Sequence, residues 1–543
     1  MKRNFDALAG EIFDLIVVGG GIVGTGVARD AALRGLRTLL LEKEDFGYGT
    51  TSRSSRLIHG GLRYLRRMEL GLVRQDLKER EVLLGIAPHL VHPLPFVIPI
   101  VGALRRTVLG CGLLLYDLLS FDKTLPSREW LSRRETLERE PGLELDGLVG
   151  SYLYYDCQVP HAERLCVENA LSAVAHDALV FNHARVTGLL LAGNAVRGVE
   201  LQDALSGEAY HARARLVVNA AGPWLDSVCD MLPGGPKLMV RRTKGVHLLT
   251  PQICRNAVVL LARKDGRLLF VIPWQGYSLI GTTDTDYTGN PDAVTAEAGD
   301  VAYLLEEVCR AFPALQKANI FYTTAGLRVL AGSGGRASDI SRQHKLVDHE
   351  TRDGVAGLVS ILGGKLTGYR AIAEETVDLV CRKLDWKAPC RSAQLPLPGA
   401  PTVSAEELAR ESGLSTETAA HLGALYGSRC SQILKIVRGD PGEARPICPH
   451  SLDILAQIRH AVEEEGTLTI ADFLLRRSTV GLNQCQGTDA AETVAQAMSR
   501  LLGWSVARQR REVQEYLALG ALTQAFRTAS ANGSLPRGWP ATV

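Results

Sequence analysis

No two of the eleven cysteines stand two residues apart, so the spacings of zinc ribbons, iron–sulfur ligands and thioredoxin-like redox pairs are all missing. No secretory leader is legible: Met1–Gly10 is short and polar, and the apolar run Ile16–Val18 stops at glycines. Reduced, mostly buried thiols, no metal site and a cytoplasmic location are therefore expected. Excess charge is missing too. Lys and Arg total 61 against 59 Asp and Glu, a net of +2, which gives no bulk reason to bind nucleic acid. No apolar window approaches ~18 residues, so nothing is expected to span a bilayer. What is plentiful is glycine: 54 of 543 residues, against ~7% in average chains. Tight turns and close backbone approaches to a ligand would use it. The 46% hydrophobic and 22% charged fractions are those of a globular chain, and the length suggests several domains at ~150 residues each.

Phe13–Val18 reads as a buried strand that ends in Gly19-Gly20-Gly21. Ile22–Arg34 has helical spacing closed by Gly35, and Thr38–Leu41 is a second buried strand ending in Glu42. That is a βαβ unit, hence an α/β fold with a parallel sheet. Leu216–Ala220 and Leu358–Leu362 read as further buried strands, and a helix is expected over Leu366–Leu384. Leu189–Tyr210 has the turns of a β-meander; Val246–Thr250, Leu268–Pro273 and Tyr277–Gly281 suggest an antiparallel sheet. Prolines around Leu395–Pro401 mark a linker, after which capped helical patterns form a separate all-α domain. Ser530–Val543 reads as a loose tail.

Gly19-x-Gly21-x-x-Gly24 lies at the turn from strand to helix, with Glu42 at the tip of the next strand. The three glycines suit a tight turn, approach of a pyrophosphate, and close helix–strand packing. The helix N-terminus adds N–H donors and partial positive charge. Glu42 can accept from a ribose 2′-hydroxyl and would repel a 2′-phosphate, which disfavours NADP. This unit leaves FAD and NAD open. Two later segments favour FAD: LVVNAAGPWLD (Leu216–Asp226), whose small-residue exit could lie against a large cofactor, and LVSILGGKLTGYR (Leu358–Arg370), where a glycine pair precedes the expected helix.

Thr50–Leu65, TTSRSSRLIHGGLRYL, puts hydroxyls, a histidine and two glycines beside that site. SSRLIHGGLRYL resembles the flavin-domain signature of the FAD-dependent glycerol-3-phosphate dehydrogenase family. So do EREVLLGIAPHLVHPLPFVIP (Glu79–Pro99), FVIPW…IGTTDTDY (Phe270–Tyr287), GLRVL (Gly326–Leu330) and GGKLTGYR (Gly363–Arg370), in the family's order. The helical part, with YGSRC, ICPH and FLLRRS, is similar more loosely. The resemblance implies an FAD domain of residues 12–95, 155–235 and 335–390, a substrate or cap domain of 96–154 and 236–334, and a C-terminal helical domain of 402–525. It implies FAD contacts at Gly19, Gly21, Gly24 and Glu42, and along Thr50, Thr51, Ser52, His59 and Gly60. Val186, Ala221, Gly222, Gly364 and Leu366 complete them, with Lys365 and Thr367.

The family binds a phosphate monoester, sn-glycerol 3-phosphate, over the flavin. The matching cations here are Arg63, Arg328, Arg342 and Lys365, with Tyr64 and Thr367 in support; several cations suit a dianion, and guanidinium forks match its oxygens. Arg63, Arg328 and Lys365 thus join the catalytic set with His247, nominated as base for the substrate hydroxyl. Two residues depart from the family pattern: Val329 replaces its usual proline, and Gly368 its usual threonine.

Leu104–Leu119, with Arg105 and Arg106 at its start, resembles the family's apolar cap region and suits a bilayer interface. Peripheral attachment to the inner face of the membrane and a quinone acceptor are what the family implies. An oxidase using oxygen, a deaminating amino-acid oxidase and a non-catalytic flavin-binding partner subunit are the competing readings. For the helical domain, a homodimer surface, a membrane dock and a buttress all remain open.

Overall fold

The computed structural model describes residues 1–65, 67–232, 240–330, 332, 343–400 and 402–527, apart from the side chains of Arg63 and Ala103. Arg342 and the tail 530–543 lie outside the described residues.

Strand β1 (Ile12–Val18) is buried beyond its first residue because both faces are covered by helices and neighbouring chain. It pairs in parallel with β2 (Thr38–Leu41) and with Ala209–Asn219, which pairs in parallel with Leu358–Leu362. Helix α1 (Ile22–Leu33) makes the crossover, and Gly35 at φ +79° turns the chain out of it. The expected meander is present as Ala184–Ala192, Ala195–Asp203 and Ala209–Asn219.

The second sheet carries Arg241–Pro251 between Tyr277–Gly281 and Tyr322–Leu330, then Leu268–Trp274 and Ala257–Leu261. Among the described residues it is antiparallel but for one pair, Ala257–Leu261 with His92–Val101. Leu57–Ile58, expected in the cofactor domain, joins this sheet by pairing with Leu148–Gln158.

Two local expectations are corrected. The helix expected from Leu366 begins at Tyr369 with Gly368 as its N-cap; Gly363 and Gly364 take positive φ (+74° and +123°), and residues 366–368 form a turn in which Thr367 Oγ1 is bonded to the backbone of His59. Gly363 and Gly364 therefore do not form a helix N-terminus. Second, the proline-rich stretch is no free linker. Leu397 is buried, its N–H bonds Ile86 O, and Gly399 N–H bonds Glu168 Oε2 at 2.9 Å.

The helical part is bolted down by buried charge pairs. Glu465 takes Arg164 in a fork at 2.5 and 2.6 Å and Arg429 at 3.0 Å. Asp45, three residues beyond Glu42, takes Arg477 at 2.8 and 2.9 Å and Arg476 at 2.6 Å. Breaking one such pair strands a buried charge, which costs about 3–5 kcal/mol. Among the described residues no helix is long and apolar enough to cross a membrane.

Candidate active site

A cavity of about 600 Å³ opens where the carboxyl ends of the parallel strands meet the second sheet, the place where open α/β sheets bind ligands. Its size is within the range of cofactor pockets.

The glycine turn supplies the floor. A Cβ at Gly19 would lie 2.7 Å from Ala220 O, and one at Gly24 only 1.8 Å from Gly19 O, so both glycines are demanded by the chain's own packing. Gly21 differs. Its Cβ would meet only Thr51 Oγ1, at 3.7 Å, and its backbone is ordinary. Gly21 borders the cavity and caps α1 with no side-chain bond, so the space above it suits a ligand's phosphate. Glu42 is locked in place, accepting from Gly20 N–H at 2.6 Å and Glu44 N–H at 2.9 Å. Burial pushes its carboxyl pKa up, against those two bonds. Thr51 Oγ1 accepts from Ile22 N–H at 3.1 Å. The indole N–H of Trp224, which also borders the cavity, is buried with no hydrogen-bond partner. A glycine cradle, an open helix cap and an orphaned donor fit a dinucleotide such as FAD.

Arg328 and Lys365 border the same cavity. Arg328, on Tyr322–Leu330, donates to Thr282 Oγ1 at 2.8 Å and Thr283 O at 3.1 Å and pairs with Asp284 at 3.3 Å. Gly245 makes room for it, since a Cβ there would lie 2.4 Å from Arg328 Nη2. Lys365 Nζ pairs with Asp76 Oδ2 and lies 3.7 Å from the centroid of the Tyr64 ring. Burial, only partly offset by Lys365, raises Asp76 to about 6. Thr367 Oγ1 accepts from His59 N–H at 3.0 Å and donates to His59 O at 3.2 Å, tying the Lys365 loop to the His59 loop.

Of the residues expected at the site, Gly19, Gly21, Glu42, Thr50, Thr51 and His59 border the cavity. So do Tyr64, Val186, Ala221, Gly222, Arg328, Gly364, Lys365, Leu366 and Thr367. Gly24 sits beneath the floor. Ser52 turns its hydroxyl to Tyr48 O and Gly49 O, and Gly60 packs against Leu77 and Tyr116, so neither borders it. The backbone of Arg63 lies in the short helix Leu62–Leu65; its side chain, like Arg342, lies outside the described residues.

His247 does not border the cavity either. It is 1% exposed, on Arg241–Pro251 opposite Gly281, where a Cβ would come within 2.4 Å of its ring. Its Nε2 is 2.8 Å from Ser55 Oγ, and Ser55 does border the cavity. Burial first, then Arg328 and Arg56, lower His247 to about 3, so the ring is neutral.

Sequence reasoning gave no role to Ser55, Phe270 or the Thr282–Asp284 run, all of which border the cavity. For the last, the signal was present as hydroxyls and a carboxylate following a strand that ends in glycine.

A glycine-cradled parallel sheet facing a cation-bearing second sheet defines a dinucleotide-dependent oxidoreductase of the flavin type. The family model described as FAD dependent oxidoreductase matches residues 14–370, and the C-terminal domain of alpha-glycerophosphate oxidase matches 390–509. A glycerol-3-phosphate dehydrogenase of Synechocystis sp. is 41% identical, over 95% of this chain and 97% of that one. Glycerol-3-phosphate dehydrogenase 2 of Mycobacterium bovis is 36% identical, over 94% and 88%. Among solved structures, the glycerol-3-phosphate dehydrogenase from Bacillus halodurans complexed with FAD superposes with a TM-score of 0.78 at 29% identity, over 96% of each chain. The chain belongs to the FAD-dependent glycerol-3-phosphate dehydrogenase family.

Proposed function

We propose that this protein oxidises sn-glycerol 3-phosphate to dihydroxyacetone phosphate and passes the electrons to a membrane quinone. The observation that carries the substrate reading is that Arg328 and Lys365 line the same cavity as the glycine turn built for a dinucleotide. Bound FAD supplies the hydride acceptor. Gly19, Gly21 and the α1 N-terminus hold its pyrophosphate, and Glu42 holds a ribose hydroxyl. Arg328 and Lys365, with Arg63 and Arg342 by their place in the family's motifs, bind the substrate phosphate and fix the C2–H bond in one orientation. Ser55 meets the C2 hydroxyl at the cavity wall and is itself oriented by the 2.8 Å bond to the neutral His247 ring behind it. Phe270 and Tyr64 help exclude water from the reacting centre. The test is substrate discrimination: glycerol 3-phosphate turns over and glycerol does not, and Arg328→Gln narrows the gap. Equal use of both would refute the phosphate assignment.

Membrane attachment is supported by the helix Ala103–Leu119. Leu104, Val108 and Leu118 are 82%, 69% and 62% exposed, Phe121 just beyond it 78%, with Arg105 and Arg106 beside them. Leu113 and Tyr116 on the opposite face are buried in the core. Such a stripe suits the headgroup boundary. Co-sedimentation with anionic vesicles that Leu104→Asp and Val108→Asp abolish is the expected result; binding unchanged by both would count against it. An oxidase is favoured by one observation, the match of residues 390–509 to the alpha-glycerophosphate oxidase C-terminal domain. Peroxide released in step with product, without quinone, would establish it.

A further inference from the structure

Remote from the cavity, two loops of the helical domain bring Cys448 and Cys485 together with Asp489. We propose that these three residues form a binding site for a thiophilic divalent cation, zinc by its chemistry, that fastens the two loops to each other.

The sulfurs are 3.7 Å apart. Two Zn–S bonds of ~2.3 Å in a tetrahedron put their sulfurs about 3.8 Å apart, so the pair already spans one edge of the polyhedron. Asp489 faces both, with Oδ2 3.2 Å from Cys448 Sγ and Oδ1 3.0 Å from Cys485 Sγ. Without metal the Cys448 thiol donates to this carboxylate, and the Cys485 thiol has both Asn483 Oδ1 at 2.9 Å and Asp489 Oδ1 within reach. On binding, both protons leave to solvent and three negative ligand atoms face one cation; no group is oxidised or reduced.

Burial pushes both thiols up without metal, and Asn483 Oδ1 lies 2.9 Å from Cys485 Sγ, but N–H groups also face the sulfurs. His450 N–H points at Cys448 Sγ at 3.4 Å, Gly487 N–H at Cys485 Sγ at 3.4 Å, and Asn483 Nδ2 lies 3.9 Å from Cys448 Sγ. Such donors stabilise metal-bound sulfur. The turn that aims Gly487 is one only glycine fits, with φ +63° and a Cβ that would meet Val480 at 2.9 Å. A disulfide explains less: the sulfurs would have to close to ~2.05 Å, and Asp489 would lose the Cys448 thiol as donor.

Burial gives the site a direction. Cys448 is buried, Cys485 half-buried and Asp489 exposed, so a fourth ligand comes from the solvent side as water. The loop so fixed also touches the second sheet: Tyr322 Oη donates to Leu482 O at 2.8 Å, and Gln484 N–H to Tyr277 Oη at 3.2 Å. Binding at two loops of the folded state stabilises that state by mass action.

The test uses the full-length holoenzyme, stripped with a chelator and titrated with Co²⁺ alone. One Co²⁺ per chain is expected, with intense red d–d bands clear of flavin absorption, bleached by added Zn²⁺, and with Zn²⁺ raising the melting temperature. Cys485→Ser and the exposed Asp489→Asn should each weaken binding at least tenfold (about 1.4 kcal/mol) and remove the tetrahedral bands. Weak octahedral spectra, affinity equal in wild type and Asp489→Asn, or a Cys448–Cys485 disulfide in freshly purified protein would each overturn the proposal.

Discussion

Two alanines placed three residues apart should fail in opposite ways. At Gly24 an added Cβ would stand 1.8 Å from Gly19 O. A carbon–oxygen contact needs about 3.2 Å, so α1 must retreat from β1 by more than an ångström. Overpacking of that kind costs roughly 1–3 kcal/mol, and Gly24→Ala should melt several degrees lower even without cofactor. At Gly21 the nearest atom is Thr51 Oγ1 at 3.7 Å, and φ −69° with ψ 178° suits alanine. Apoprotein stability should change by no more than about 0.5 kcal/mol. The new methyl borders the cavity floor where a pyrophosphate must approach the helix N-terminus, so FAD affinity should fall about 10- to 100-fold, 1.4 kcal/mol per factor of ten. Differential scanning of both apoproteins and fluorescence titration with FAD separate the effects. Wild-type FAD affinity in Gly21→Ala would refute the assignment of that turn to the cofactor.

Arg328→Gln removes a charge-assisted contact worth about 1.5–3 kcal/mol, so KM for glycerol 3-phosphate should rise about 10- to 100-fold while FAD remains bound; steady-state kinetics on the holoenzyme checks this. Asp76 titrates near 6 because burial outweighs Lys365. As pH falls through that value Lys365 loses its carboxylate partner, so inhibition by sulfate should tighten in wild type and stay flat in Asp76→Asn. Burial pushes Glu465 up, but Arg164 and Arg429 hold it well below the usual carboxylate range. Its contribution is therefore complete above the unfolded value of about 4.3 and lost as pH drops below it. Glu465→Gln should cost about 3–5 kcal/mol at pH 7 and flatten the acid limb of stability in urea titrations.

What could be read from the chain was what is local. The βαβ unit announces itself because apolar runs, three glycines and Glu42 follow one another within one short stretch. The capped helices after Ser404 are equally plain: Ser404 and Ser415 each accept from a first-turn N–H. The clamps between domains were illegible, since Asp45 and Arg477, or Arg164 and Glu465, are brought together only by the fold. His247 was legible as a strand residue, but strand alternation does not say that Ser55 stands between it and the cavity. The helix begins at Tyr369 rather than Leu366, after a turn in which Thr367 is bonded to the distant His59 backbone, a contact that composition does not reveal. Cys448 and Cys485 likewise share no spacing pattern; two loops bring them together.

The decisive measurement is the visible spectrum of purified holoenzyme mixed anaerobically with glycerol 3-phosphate. The flavin band should bleach in proportion to substrate added, with dihydroxyacetone phosphate formed in equal amount. A flavin band unmoved by saturating glycerol 3-phosphate would contradict the proposed activity.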